Sequence, residues 1–120
     1  MSELNYKEIR DIILKSNDIE LERVYVKKWK CEVYIKQLTG DEQDIFEKER
    51  LNEDGTFNLH NFRARLVSMC LCDKEGKNIF KPEHIPELSK KNGAVLNNLV
   101  DKINKVNLIT QDDIEILAKN

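Results

Sequence analysis

"NFRARLVSMCLCD" (residues 61–73) combines an apolar run with two arginines and two cysteines. Phe62, Leu66, Met69 and Cys70 recur at the spacing of one helix face. That periodicity is typical of a helix that buries one side in a core. The pattern predicts a central helix from about Leu59 to Cys72.

The two cysteines in this stretch are predicted to be free thiols. Successive residues of a helix are turned by about 100°, so Cys70 and Cys72 should point about 200° apart. Cys70 then belongs to the core, and Cys72 to the polar side. Cys31 and the two histidines add no paired ligand spacing of the kind that zinc sites use. With no nucleophile–base pair either, the sequence predicts no catalytic residue, no metal site, no cofactor and no enzyme.

The two arginines are expected to differ. The helical angle of Arg63 falls inside the apolar arc, whereas Arg65 falls on the solvated face. We therefore expect Arg63 to be partly buried and ion-paired with a carboxylate of the acidic segment 41–54. Direct contact of Arg63 with a partner protein is the alternative.

The residues before this stretch predict a helix and a β-hairpin. Residues 3–16 have the spacing of a short amphipathic helix. "IELERVYVKKWKCEVYIKQL" (19–38) alternates apolar and polar residues with period two, which indicates two strands joined near Lys28 to Lys30. Trp29, at that turn, has two interpretations that stay open here: it anchors a partner, or it covers the protein's own core.

The remainder, 39–120, is predicted to be helical. Thr39 and Glu42 form a capping box for a helix that turns Phe46, Ile45 and Leu51 inward. Asn92 caps a later helix, and Thr110 caps a last one that carries Ile114 and Leu117. The residues assigned structural roles, as caps or in the core, are Thr39, Phe46, Phe62, Leu66, Cys70, Leu96, Leu99 and Ile103.

The predicted fold class is α+β and mostly α-helical. An N-terminal helix and a hairpin should be followed by about four to five helices around one core, in a single domain 1–120. Because 20 Lys+Arg are balanced by 22 Asp+Glu, the protein has no overall positive charge that would attract nucleic acid or an anionic membrane. No stretch resembles a secretory signal or a membrane span. The basic residues of the hairpin leave one alternative, a small regulatory or nucleic-acid-binding module.

Four segments taken in order resemble a known family. They are Trp29 before a strand, "LTGDEQDIFEKE" (38–49), "NFRARLVSMCLCDKEGKNIF" (61–80) and "IPELSKKNGAVLNNLVDKINKVNLITQDDIEILAKN" (85–120). Together they resemble the small tail assembly chaperones of long-tailed phages and prophages of Gram-positive bacteria. The family's pattern is met by Trp29, Leu38, Thr39, Gly40, Phe46, Asn61, Arg63, Ala64, Leu66, Val67, Asp73, Gly76, Phe80 and Leu108. The chain departs from it in the short turn without glycine at Lys28 to Lys30.

The resemblance implies a protein that binds a partner and catalyses no reaction. Such proteins hold the long, aggregation-prone tape-measure protein in the host cytoplasm until tail-tube subunits polymerise around it, and they are absent from the mature virion. The implied partner is the tape-measure protein, with the tail-tube protein and a second copy of the chain as further candidates, and with neither membrane nor nucleic acid. The partner-binding residues proposed from the sequence are Trp29, Arg63 and Arg65. The resemblance also implies a second, overlapping reading frame reached by ribosomal slippage.

Overall fold

The computed structural model describes residues 3–107. Within that range the helices are α1 (Tyr6–Lys15), α2 (Gly40–Glu49), α3 (Phe62–Cys70), α4 (Ile85–Leu88) and α5 (Gly93–Val106). The strands are β1 (Leu21–Val26), β2 (Cys31–Lys36) and β3 (Leu71–Cys72), and they form one antiparallel sheet in the order β1-β2-β3. The predicted α+β, mostly helical fold class is confirmed. The helix predicted from Thr110 lies outside the described residues.

The hairpin forms where the alternating pattern predicts it. Leu21 pairs with Lys36 at one end, and Val26 pairs with Cys31 at the other. A single 3-10 turn over Lys27–Trp29 joins the strands, and Lys30 follows it with φ 53°. This left-handed conformation is the one that glycine usually provides. The turn therefore closes without glycine because Lys30 adopts it.

The central helix ends two residues earlier than predicted. After Cys70 the backbone becomes extended, and Leu71 pairs with Ile35 of β2 as part of a third strand. The helix does not continue because Asp73 forms a turn. Its carboxylate accepts hydrogen bonds from the backbone N–H groups of Glu75 and Lys77, both at 2.9 Å. Such aspartate-centred turns compete with helix formation.

The early end of α3 changes the position of Cys72. On a continued helix its side chain would face the polar side, as predicted, but on β3 it points into the protein and is fully buried. Its thiol donates to the carbonyl of Tyr34, at 3.5 Å. The predicted solvent-side position of Cys72 is therefore wrong.

Two helix starts follow the predicted capping chemistry. The Thr39 hydroxyl accepts from the N–H of Glu42 at 3.1 Å, and the Glu42 carboxylate accepts from the N–H of Thr39 at 3.0 Å. Burial opposes ionisation of Glu42, but hydrogen bonds from Thr39 and Lys36 lower the pKa of its carboxyl. Asn92 caps α5 by accepting from two backbone N–H groups of its first turn.

The core lies where α3 packs on α4 and α5 and where α5 packs on β2. Phe62 is half-buried at its edge, with its ring centroid 5.4 Å from that of Phe46. Ile45 and Leu51 were predicted to face inward, but both are about half exposed, because α2 reaches the core only through Phe46. The fully or largely buried core residues are Val26, Val33, Ile35, Phe46, Ala64, Leu66, Val67, Cys70, Leu71, Leu88, Leu96, Leu99 and Ile103.

Candidate functional site

An open apolar groove, here called the Trp29 groove, lies between the hairpin turn and α4. It is lined by Trp29, Ile79, Phe80, His84, Glu87, Leu88 and Lys91, and it has a volume of about 460 Å³. A concave surface with mostly apolar walls and a few polar groups is the default hypothesis for a binding site. The groove is therefore the candidate site for a partner.

One wall of the groove is built by the chain that returns from β3. Gly76 closes the Asp73 turn with φ 85°, and the N–H of Ile79 then donates to the carbonyl of Leu71 at 3.1 Å. This return places Ile79 beside the groove with 43% of its surface exposed. The large apolar side chain of Ile79 is therefore partly exposed to solvent, on a backbone that is fixed by this hydrogen bond.

The floor of the groove is set by the segment before α4. The Phe80 and His84 rings meet edge to face, with centroids 6.3 Å apart. His84 Nδ1 accepts from the N–H of Lys81 at 2.9 Å, which fixes the imidazole against the backbone. Leu88, on α4, also lines the groove and is buried. These contacts hold the groove in shape without a partner.

Trp29 combines the two roles that the sequence left open. It is half-buried and packs against the core, and the same side chain lines the groove. Tryptophan is a frequent anchor in interfaces because one rigid side chain buries a large area. The other lining residues were not predicted as a site, since they come from separate segments between 79 and 91 that only the fold brings together.

The two arginines proposed from the sequence lie away from this groove. Arg63 is exposed, and its Nε donates to the side-chain oxygen of Asn97 on α5. No ion pair of Arg63 is present among residues 3–107. The predicted buried ion pair with the acidic segment is wrong, because Arg63 sits in the first turn of α3 and faces α5 instead.

Arg65 occupies the position that was expected of Arg63. It is half-buried, and its guanidinium donates to the carbonyls of Glu49 at 3.2 Å and Asn58 at 2.9 Å. These bonds tie α3 to the end of α2 and to the loop that follows it. Arg65 thus contacts the acidic segment through a backbone carbonyl and not through a carboxylate.

The sequence matches the family model described as phage tail assembly chaperone over residues 9–107. The chain belongs to the phage tail assembly chaperone family. Its structure is also similar to that of the tail assembly chaperone of bacteriophage HK97, with a TM-score of 0.61, 14% sequence identity and coverage of 83% of this chain and 93% of the other. At that identity the likeness concerns the fold. A comparison with curated proteins found no match.

The described part of this tail assembly chaperone holds no cluster of three or more His, Cys, Asp or Glu side chains that could bind a metal ion. The residues between 3 and 107 also include no helix with the length and apolar character of a membrane span.

Replacing Arg65 with alanine should destabilise the fold by about 1–3 kcal/mol, since two carbonyls lose a charged donor. Arg63→Ala, the matched control, should change the free energy of unfolding by less than about 0.5 kcal/mol, because Arg63 is exposed. Urea denaturation followed by circular dichroism measures both. Equal effects of the two substitutions would contradict the assignment of Arg65 as the tie between α2 and α3.

The three cysteines should differ sharply in reactivity. All three are free in this structure, with Cys31 exposed and the other two buried. Burial raises the pKa of Cys70 to about 12, and it also raises the pKa of Cys72. Because the thiolate is the reactive form, we expect an aromatic disulfide reagent at pH 8 to titrate Cys31 alone in the native protein and all three thiols in urea. Reaction of Cys72 as fast as Cys31 would show that β3 is not formed.

Proposed function

We propose that this tail assembly chaperone binds the tape-measure protein in the Trp29 groove and keeps it soluble in the host cytoplasm while the tail is assembled, without catalysis. The observation that carries the proposal is an open, preformed apolar groove with Trp29 and Ile79 accessible on its walls, in a member of this family. A long helical protein exposes apolar stripes before it is enclosed. Covering such stripes is the physical task of the chaperone.

The chemistry of the groove suits an amphipathic helix. Apolar contact contributes roughly 25 cal/mol per Å² of area removed from water, so a helix that inserts two or three large side chains gains most from the floor and walls. Glu87 and Lys91 carry opposite charges at the rim. A rim of both signs orients a helix but adds little net attraction, so the affinity should depend on apolar area.

The alternative, a nucleic-acid-binding hairpin, has less support. Arg23 pairs with Glu32 at 2.8 Å, and Lys36 pairs with Glu42 at 3.2 Å. Two of the basic side chains that suggested the alternative are therefore already neutralised. The remaining lysines surround the turn at residues 27–30 and form a small patch beside the groove.

Salt dependence separates the two functions. In a pull-down of the tape-measure protein by the chaperone, binding through the groove should persist as salt rises from about 50 to 500 mM, because apolar contacts are not screened. Binding led by the hairpin should fall steeply over that range, as should any binding to DNA. Loss of the complex at high salt, or capture of the tail-tube protein in its place, would overturn the proposal.

A further inference from the structure

Strand β1 is an edge strand, and its backbone groups alternate in direction. The sheet order places β1 at one side, and no strand within residues 3–107 pairs with its outer edge. The N–H of Gln37 donates to the carbonyl of Glu20 at 3.0 Å, so these two residues form a hydrogen-bonded pair at the start of the hairpin. Such pairs alternate along an antiparallel ladder, so Val24 turns its backbone groups toward β2, whereas Arg23 and Tyr25 turn theirs outward. The outer edge therefore presents N–H and C=O groups to a further strand.

An open groove of about 350 Å³, here called the β1 groove, is lined by β1, by the hairpin turn and by α5. Tyr25, which is 60% exposed, and Val26 line it from the strand. Val95, Leu99 and Lys102 line it from α5, where they share one face at i, i+4 and i+7. A groove between an edge strand and a helix suits an extended segment, which can bond to the strand and place alternate side chains on the helix.

The rim of the β1 groove is positively charged. Lys27, Lys28 and Lys102 line it, and no Asp or Glu of the described residues lines it with them. None of these three lysines forms an ion pair within residues 3–107. The Trp29 groove, by contrast, carries both Glu87 and Lys91. Charge complementarity therefore favours an acidic occupant for the β1 groove.

We propose that the β1 groove binds an acidic, extended segment of a partner protein, which adds to β1 as a further strand. The segment hydrogen-bonds to the outward backbone groups of Arg23 and Tyr25. Its apolar side chains, at alternate positions, contact Val95 and Leu99, and its carboxylates meet the lysines of the rim. A helix would leave the outward groups of β1 without a protein partner, since the backbone groups of a helix are already bonded to each other.

A nucleic acid suits this groove less well than a peptide. Its affinity comes chiefly from phosphate contacts, and the three lysines of the rim supply few of them. Its sugar–phosphate backbone also has no N–H donor for the outward carbonyls of β1. The β1 groove shares no lining residue with the Trp29 groove, so this proposal goes beyond the proposed function and can be tested separately from it.

Fluorescence anisotropy of the full chain with a labelled peptide tests the charge of the site. The probe is a synthetic peptide of about the length of β1 in which valine and aspartate alternate. Lys102→Glu should weaken its binding at least roughly tenfold, because the substitution sets like charges opposite each other. Lys105→Glu is the matched control, since Lys105 is exposed on the same helix but does not line the groove, and its effect should stay within about twofold. Ile79→Asp, in the Trp29 groove, should leave the affinity for this peptide unchanged.

Amide hydrogen exchange, measured by NMR, tests whether the peptide binds as an added strand. In the free protein the amides of Arg23 and Tyr25 should exchange rapidly and that of Val24 slowly, because only Val24 donates to β2. Saturation with the peptide should slow the exchange of Arg23 and Tyr25 at least roughly tenfold and leave Val24 unchanged.

Four results would overturn the inference. Failure of the peptide to bind, or equal effects of Lys102→Glu and Lys105→Glu, would show that the groove is not a site for an acidic segment. Exchange of Arg23 and Tyr25 that stays the same when the peptide is bound would show that no strand is added. Tighter binding of a single-stranded DNA of matched charge, lost in Lys102→Glu, would assign the groove to nucleic acid.

Discussion

Replacing Ile79 with aspartate should weaken binding of the tape-measure protein at least roughly tenfold, the effect expected when a central interface residue is lost. The carboxylate would stand in the wall of the Trp29 groove, where an incoming apolar side chain would have to desolvate it. The fold should be unaffected, because Ile79 is already 43% exposed and its backbone bond to Leu71 does not depend on the side chain. Titration calorimetry with a soluble tape-measure fragment measures the change.

The control for this substitution is Leu51→Asp. Leu51 is 50% exposed and lies outside the lining of the groove, so the same change in charge should leave the affinity within about twofold. Trp29→Ala should match Ile79→Asp in its effect on binding. Full affinity in both groove variants would place the binding site elsewhere on the chaperone.

Replacing Ile103 with alanine should lower the free energy of unfolding by about 3–4 kcal/mol, the usual cost of truncating a buried isoleucine. Ile103 is 1% exposed on α5, in the layer where α5 packs on α3. A loss of that size is a large share of the roughly 5–15 kcal/mol that stabilises a typical domain. Urea denaturation gives the value.

Lys105→Ala is the matched control for Ile103→Ala. It lies on the same helix but is exposed, so its effect should stay within about 0.5 kcal/mol. A cost of less than about 1 kcal/mol for Ile103→Ala would mean that α5 is not packed on α3 as described.

Local sequence signals predicted the elements whose formation depends on neighbouring residues. The capping box at Thr39, the cap at Asn92 and the alternating strands around Trp29 all act over a few residues, and all three are confirmed. Helix α1 was predicted within 3–16 and forms over Tyr6–Lys15. In each case the decisive hydrogen bonds or side-chain alternation can be read directly along the chain.

Errors arose where a distant segment decided the outcome. The helical period runs through Leu71 and Cys72, but pairing with β2 and the turn at Asp73 convert these residues to a strand. Extending the helix also misplaced the thiol of Cys72. The turn chemistry of Asp73 and Gly76 was the available signal for that stop.

The candidate site could not be predicted as a whole. Trp29 was named from its position beside the hairpin turn, but Ile79, His84 and Leu88 come from other segments and reach the same groove only in the folded chain. For the arginines, the helical angle alone predicted the wrong one to be buried, because the carbonyls that bind Arg65 belong to the last residue of α2 and to the loop after it. Contacts of this kind depend on loop paths that periodicity does not encode.

Co-expression measures whether the chaperone keeps the tape-measure protein soluble. The tape-measure protein of the same phage would be produced alone, with the wild-type chaperone and with the Ile79→Asp variant, and its soluble fraction compared after centrifugation. The proposal predicts that the tape-measure protein aggregates alone and with the variant, and stays soluble in complex with the wild-type chain. Equal solubility of the tape-measure protein in all three cultures would contradict it.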